Sequence, residues 1–308
     1  MTSERVKGHL CVLTANTIFG VFIPVSKYLM SGHISPYALT MFRMLGAAVL
    51  FWTVSLFVRE KRVDFKTLCW FFFFALTGIV LNQGLFIFAL GHTSPIDASG
   101  ILTATPFAAL FISAAYLGDK ITRRKLAGIF TGAAGAVWLI TTAAGGGAAG
   151  GSGSIFGDGL VLFTTVCAAT YFVVSKPLAK VYSPITMMKW MFTFSTLVFA
   201  PFFWWTSGGE LAGLGALSAW DWTGVAYVVA GATFVAYMLL PMGIKRMRPT
   251  TVAMYIYVQP IVSSVVAIAV GQDAFMWSKL FASALVFAGV YVVTSSPRAG
   301  DKSVADER

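Results

Sequence analysis

Ten apolar runs follow one another along this chain, each close to the length a helix needs to cross a bilayer. They lie at 8–30, 36–58, 66–90, 95–118, 125–142, 157–176, 184–205, 221–242, 249–271 and 277–295. A membrane helix needs ~20 mostly apolar residues. Dividing the 308 residues by ~30 per helix and loop also gives about ten. Continuous runs such as Trp70–Leu76 do not alternate, which argues against a transmembrane β-barrel. Charge leads to the same place: 11% of the residues are charged, where a soluble domain carries about 25%. A water-facing surface of ordinary size cannot be built, so a soluble enzyme is excluded. The chain reads as an all-α integral membrane protein. Its first run is too long, and too closely followed by a second, for a cleaved signal peptide.

The net charge of +10 is sorted along the chain. With the N-terminus placed in the cytoplasm, the inner segments hold Arg5, Lys7, Arg59, Lys61, Arg62, Lys66, Lys120, Arg123, Arg124, Lys125, Lys180, Lys245, Arg246, Arg248, Arg298, Lys302 and Arg308. That is 17 of the 22 basic residues, and the outer loops hold Lys279 alone. The positive-inside rule therefore puts both termini in the cytoplasm, and no nucleic-acid partner is needed to explain the charge. Cys11, Cys69 and Cys167 sit in or beside spans, where they behave as small hydrophobes rather than as a disulfide framework.

The chain contains two copies of one unit. Residues 143–157 read AAGGGAAGGSGSIFG, a low-complexity flexible linker near the midpoint. Across it, at a shift of 154, Pro95 matches Pro249, Pro106 matches Pro260, Asp119 matches Asp273, Lys125-Leu126 match Lys279-Leu280, and Ala134-Gly135 match Ala288-Gly289. Nearer the start of each half, Val25-Ser26-Lys27 recurs as Val174-Ser175-Lys176, and Ser35-Pro36 as Ser183-Pro184. The divisions are a first repeat at 8–142, the linker at 143–156, a second repeat at 157–295 and a cytoplasmic tail at 296–308. Each repeat has five spans. Five is odd, so the second repeat enters from the opposite face and the halves are inverted. Secondary transporters are built this way, with the substrate near the midplane and two half-structures that rock against each other.

The residues ANTIFGVFIPVSK (15–27), CAATYFVVSKPLAK (167–180) and SPYALTMFRMLGAAVLF (35–51), and the paired stretches 94–140 and 248–293, resemble the drug/metabolite transporter superfamily. Within it they look like the EamA-type ten-span permeases, over nearly the whole chain. One departure is Asp119 and Asp273, where that family usually has Glu. The resemblance implies transport of small metabolites, often amino acids or their relatives.

Several residues could form the site. Pro106 and Pro260 lie ~11 residues into their spans, close to the midplane at 1.5 Å per residue. As helix breaks they free the carbonyls of Leu102 and Ile256 for a substrate, or they are packing kinks. Thr105, Tyr255, Tyr257 and Gln259 flank them. Arg43, seven residues into the second span, is either a counter-charge for a carboxylate or phosphate, or a state-dependent lock, or a snorkelling side chain. Its repeat counterpart is Met191. Lys27 and Lys176 end equivalent spans and read as snorkelling or gating cations; Lys189 reads as interfacial. Asn16, Asn82 and Gln83 line a cavity or hydrogen-bond between helices. Phe19, Phe86, Tyr171, Tyr237 and Trp190 supply apolar walls. Gly128-x-x-x-Gly132 permits close packing, inside the bundle or in a homodimer.

No carboxylate lies in mid-span, so buried-acid proton coupling has no candidate, and facilitation or exchange of an anionic or zwitterionic substrate is expected. Walker loops, His-Glu-x-x-His and Cys-x-x-Cys are missing, and His9, His33 and His92 lie near span ends; no catalytic residue, metal or cofactor is expected. The competing functions are organic-cation efflux, nucleotide-sugar or phosphate-ester exchange, and, from another class, an intramembrane enzyme or a scaffold. Short loops suit a bacterial inner membrane, and the expected partners are a small-molecule substrate and lipid, with the chain a monomer or homodimer.

Overall fold

The computed structural model describes residues 3–30, 34–90, 92, 101–144, 155–207, 217–269 and 277–295. His33, Pro95, Asp97, Asp273, linker residues 145–154, the tail from 296 and the side chains of Lys27 and Lys279 lie outside the described residues. Regular structure among the described residues is helical throughout. Ten stretches correspond to the ten runs: α1 (Ser3–Met30), α2 (Pro36–Ser55), α3 (65–90), α4 (Thr105–Leu117), α5 (Arg123–Ala144), α6 (Ile155–Val181), α7 (Pro184–Ser207), α8 (Ala219–Arg246), α9 (249–269) and α10 (Trp277–Thr294). By length and composition α1, α2, Phe65–Gly84 of α3, α6, α7 and α8 can each cross a membrane. The outer turns follow local chemistry. Ser35 accepts from Ala38 N at 3.2 Å with Pro36 beginning α2. Ser218 and Asp221 form a capping box on α8. Gly118, at φ +68°, ends α4. α1 begins five residues earlier than the apolar run because Glu4 bonds Lys7 at 2.9 Å and Arg246 at 2.7 Å.

Both halves depart from the α-helix at equivalent places. α3 and α8 each carry a nine-residue π-helical segment, Leu76–Gly84 and Tyr227–Val235. α9 passes through a 3₁₀ turn at Tyr255–Tyr257 just before Pro260. The chain before Pro106 likewise turns at Thr103 and Ala104. These two turns touch: Tyr257 Oη donates to Thr103 O at 2.6 Å, a residue bonding its own repeat equivalent 154 positions away.

The same symmetry governs α5 and α10. A Cβ on Gly128 would lie 2.8 Å from Gly289 O, and one on Gly135 would lie 2.7 Å from Ala282 O. At the shift of 154, Gly128 corresponds to Ala282 and Gly135 to Gly289. The contacts are therefore reciprocal and the two helices run antiparallel. A two-fold relation that reverses helix direction is an inverted repeat, and Gly128-x-x-x-Gly132 serves this contact inside the bundle. Gly289→Val is expected to destabilise the protein by at least ~1–3 kcal/mol. Its Cβ would meet Gly132 N at 2.5 Å and Gly128 O at 2.6 Å, and backbone cannot step aside. Thermal unfolding of the purified protein measures this, and an unchanged midpoint would refute the close contact.

The sequence halves are not separate bodies. α1 packs on α8 and α9, and its equivalent α6 packs on α3 and α4; α2 packs on α8, and α7 on α3. Two four-helix groups result, α1-α2-α8-α9 and α3-α4-α6-α7, each drawn from both halves. They meet along α2–α7 and α4–α9, and the α5–α10 pair completes the fold. The two sequence halves thus interleave rather than pack as two blocks. The physical reason is that each half's apolar faces are covered by helices of the other.

Candidate functional site

Arg43 is the organising residue. It is 7% exposed, set on α2 among Leu39, Met44 and Ala47. Its Nε donates to Thr233 Oγ1 at 3.1 Å. Thr233 can accept there because its own hydroxyl donates to Val228 O, five residues back, at 2.8 Å. The π-helical turn of α8 brings that carbonyl into reach. The guanidinium lies 4.4 Å above the Phe22 ring centroid, with Tyr237 within electrostatic reach. Among the described residues no carboxylate pairs with it. A buried guanidinium with five donors and a single side-chain hydrogen bond is an unbalanced charge.

Aromatic rings surround it. Tyr237 meets Phe19 at 5.5 Å and Phe192 at 5.2 Å between centroids, both edge to face. Tyr171, on α6, lies within electrostatic reach of Tyr237. Its ring lies against Gly78, where a Cβ would come within 2.8 Å of it; the glycine makes room for the ring. The Tyr171 hydroxyl is buried with no partner among the described residues. Of the residues singled out in the sequence, Phe19, Arg43, Tyr171 and Tyr237 therefore converge. Phe22, Phe192 and Thr233 join them.

The other candidates lie elsewhere. Gln259 Nε2 donates to Asn16 Oδ1 at 2.8 Å, and Asn16 Nδ2 donates to Val12 O at 2.8 Å. These amides stitch α9 to α1. Tyr255 Oη is 2.8 Å from His9 Nδ1 on the same seam. Asn82 Nδ2 donates to Thr164 O at 3.3 Å, joining α3 to α6, and Gln83 beside it is half-buried. Phe86 packs in a satellite cluster with Ala89, Val161 and Leu102. Thr105 corrects an expectation: its hydroxyl donates to Leu102 O at 2.7 Å. The carbonyl that Pro106 releases is taken by a neighbour within the chain rather than left for a substrate. Lys176 is half-buried at the turn after Ser175, and Ser26 and Ser175, equivalent in the two repeats, are both buried.

Lys189 stands near the end of its span. It is 8% exposed. Its ammonium pairs with Glu60 from the α2–α3 loop and lies 4.5 Å above the Trp52 ring. Thr186 Oγ1 donates to the same carboxylate at 2.9 Å. Trp190, a wall candidate, instead meets Trp52 edge to face at 5.3 Å. In that loop Thr67 donates to Asp64 at 2.6 Å and holds its carboxyl below the usual carboxylate range. Sequence reasoning passed over Glu60, Phe22 and Thr233. The repeat held a signal for the last two. Phe22 is equivalent to Tyr171, and Thr233 occupies the position of Asn82 in the matching π segment.

An inverted-repeat bundle of ten helices, holding a buried cation with no carboxylate partner among the described residues, has the architecture of secondary transporters. Comparison with known proteins gives the family. The EamA-like transporter family model matches residues 6–141 and again 155–295, and the chain belongs to that family. It is 22% identical over 290 residues to the uncharacterized transporter YyaM of Bacillus subtilis, covering 93% of each chain. It is 23% identical to an uncharacterized transporter of Archaeoglobus fulgidus, covering 94% of this chain and 99% of that one. A WAT1-related protein of Arabidopsis thaliana is 25% identical, with 94% and 86% covered. A crystal structure superposes with a TM-score of 0.78 at 18% identity, over 94% of this chain and 98% of the other, which establishes the shared fold.

Proposed function

We propose that this protein is a secondary transporter that moves a small polar metabolite, amino-acid-like or anionic, by alternating access. It works by facilitation or exchange, in a bacterial inner membrane with both termini in the cytoplasm. The observation that carries the reading is Arg43: a buried cation with no carboxylate partner among the described residues, held by first-half α1 and α2 against second-half α8. A charge in that setting is costly, with an insertion penalty of ~2.5–3.5 kcal/mol at a helix centre. An incoming anion offsets that cost in the loaded state. The groups α1-α2-α8-α9 and α3-α4-α6-α7 are the bodies that rock, and the α5–α10 pair, locked by backbone contact, is the fixed element between them. A positive chamber disfavours organic-cation efflux.

The test is counterflow in liposomes holding the purified protein and preloaded with a mixture of amino acids and organic acids. Saturable exchange of at least one compound, absent from protein-free liposomes, is expected. Its absence across the panel removes the reading. Uptake that collapses with the pH gradient would replace exchange by proton coupling.

A further inference from the structure

We infer that the substrate is an organic monoanion, a carboxylate on an apolar body, with no ammonium group. The inference rests on the transporter reading above and narrows it. The inverted repeat supplies the argument, because each residue around Arg43 has an equivalent on the opposite side of the two-fold. The equivalent of Phe22 is Tyr171, that of Arg43 is Met191, that of Thr233 is Asn82 and that of Tyr237 is Phe86. Arg43 thus has no charged equivalent across the two-fold, and neither set of equivalent residues includes a carboxylate.

An amino acid carries its ammonium about two bonds from its carboxylate. Held against Arg43, that ammonium would lie a few ångströms from the guanidinium, where like charges repel each other strongly out of contact with water. No described acid compensates. The described carboxylates stand at helix ends or in loops: Glu4 with Lys7 and Arg246, Glu60 with Lys189, Asp64 with Thr67, Asp119 with Ser113 at 2.5 Å, Asp158 in the first turn of α6, and Asp221 with Ser218 at the start of α8. A dianion is disfavoured as well, because Arg43 is the one cation that the described contacts place beside these rings. Phe19, Phe192 and Tyr237, whose rings meet edge to face, suit an apolar body.

Three probes share one skeleton: 3-phenylpropanoate with the carboxylate alone, phenylalanine with both groups, and phenethylamine with the ammonium alone. In the counterflow assay, 3-phenylpropanoate is expected to exchange at least tenfold faster than phenylalanine, with phenethylamine at the protein-free background. In detergent, only 3-phenylpropanoate is expected to raise the unfolding temperature. Equal rates for phenylalanine, exchange of phenethylamine, or no exchange of 3-phenylpropanoate where another panel compound exchanges overturns this inference and leaves the transporter reading standing. No exchange of any panel compound overturns both.

Discussion

Arg43→Met is expected to slow exchange at least tenfold while leaving the protein at least as stable as the wild type. The two effects have one cause. In the unloaded protein the guanidinium keeps one hydrogen bond, to Thr233, and a ring face beneath it, but no counter-ion among the described residues. The effective penalty for burying a charge is several kcal/mol per ion, and one hydrogen bond to a charged group returns only about 1.5–3 kcal/mol. Methionine removes that penalty and fills similar volume. It also fits the fold, because the equivalent position in the second repeat is Met191, which is fully buried. Transport loses the charge-assisted contacts to the substrate. At about 1.5–3 kcal/mol each and tenfold per ~1.4 kcal/mol, the rate falls by roughly tenfold to a hundredfold or more. Arg43→Lys keeps the charge but not the planar fork, so partial exchange is expected. Counterflow rates and unfolding temperatures of the same preparations check this. A clear fall in unfolding temperature for Arg43→Met would make Arg43 structural and sink the site.

The pair Lys189 and Glu60 should behave in the opposite sense. Here both charges are largely shielded from solvent, their side chains 10% and 12% exposed, and matched, with Trp52 below and Thr186 beside them. Removing one partner strands the other, at a cost of about 3–5 kcal/mol. Lys189→Met and Glu60→Gln singly should each lower the unfolding temperature markedly. The double variant should recover most of the loss, because two neutral side chains leave no stranded charge. A double-mutant cycle on thermal unfolding reads the coupling. Additive losses would show that the two side chains do not depend on each other. The contrast with Arg43 is physical: a matched buried pair holds structure together, and an unmatched buried cation waits for a ligand.

Much of the fold was legible because the bilayer leaves few choices. Apolar runs in hydrocarbon must close their backbone hydrogen bonds within the segment, so run length and spacing reveal the helices. The odd number of spans per repeat then forces inversion. Gly128 and Gly132 were legible as packing residues, and Gly135 and Gly289 as repeat equivalents, but not the reciprocal contacts of these helices. Site residues were legible in part. Arg43 stands out in any apolar run, and Tyr171 and Tyr237 were among several aromatic candidates. Asn16 and Gln259 satisfy each other across α1 and α9, and a polar side chain's partner is a tertiary fact. The pairing of Lys189 was hidden because Glu60 lies in a loop 129 residues away, and only folding places it under the ammonium. The π segments of α3 and α8 escaped because the change of helical pitch leaves no mark on the hydrophobic pattern.

By itself the sequence determined that this chain crosses a membrane, that it does so as two inverted five-helix units, and that one of its few intramembrane charges, Arg43, lacks a symmetric mate. Composition, run length and the repeat carry those facts, and each follows from the energetics of hydrocarbon as a solvent. Only the tertiary structure decided which polar residues bond to one another, that the sequence halves interleave into two mixed four-helix groups, and that Arg43 is left without a carboxylate partner among the described residues. Those outcomes depend on which faces meet, and a contact between distant residues exists only once the chain has closed on itself.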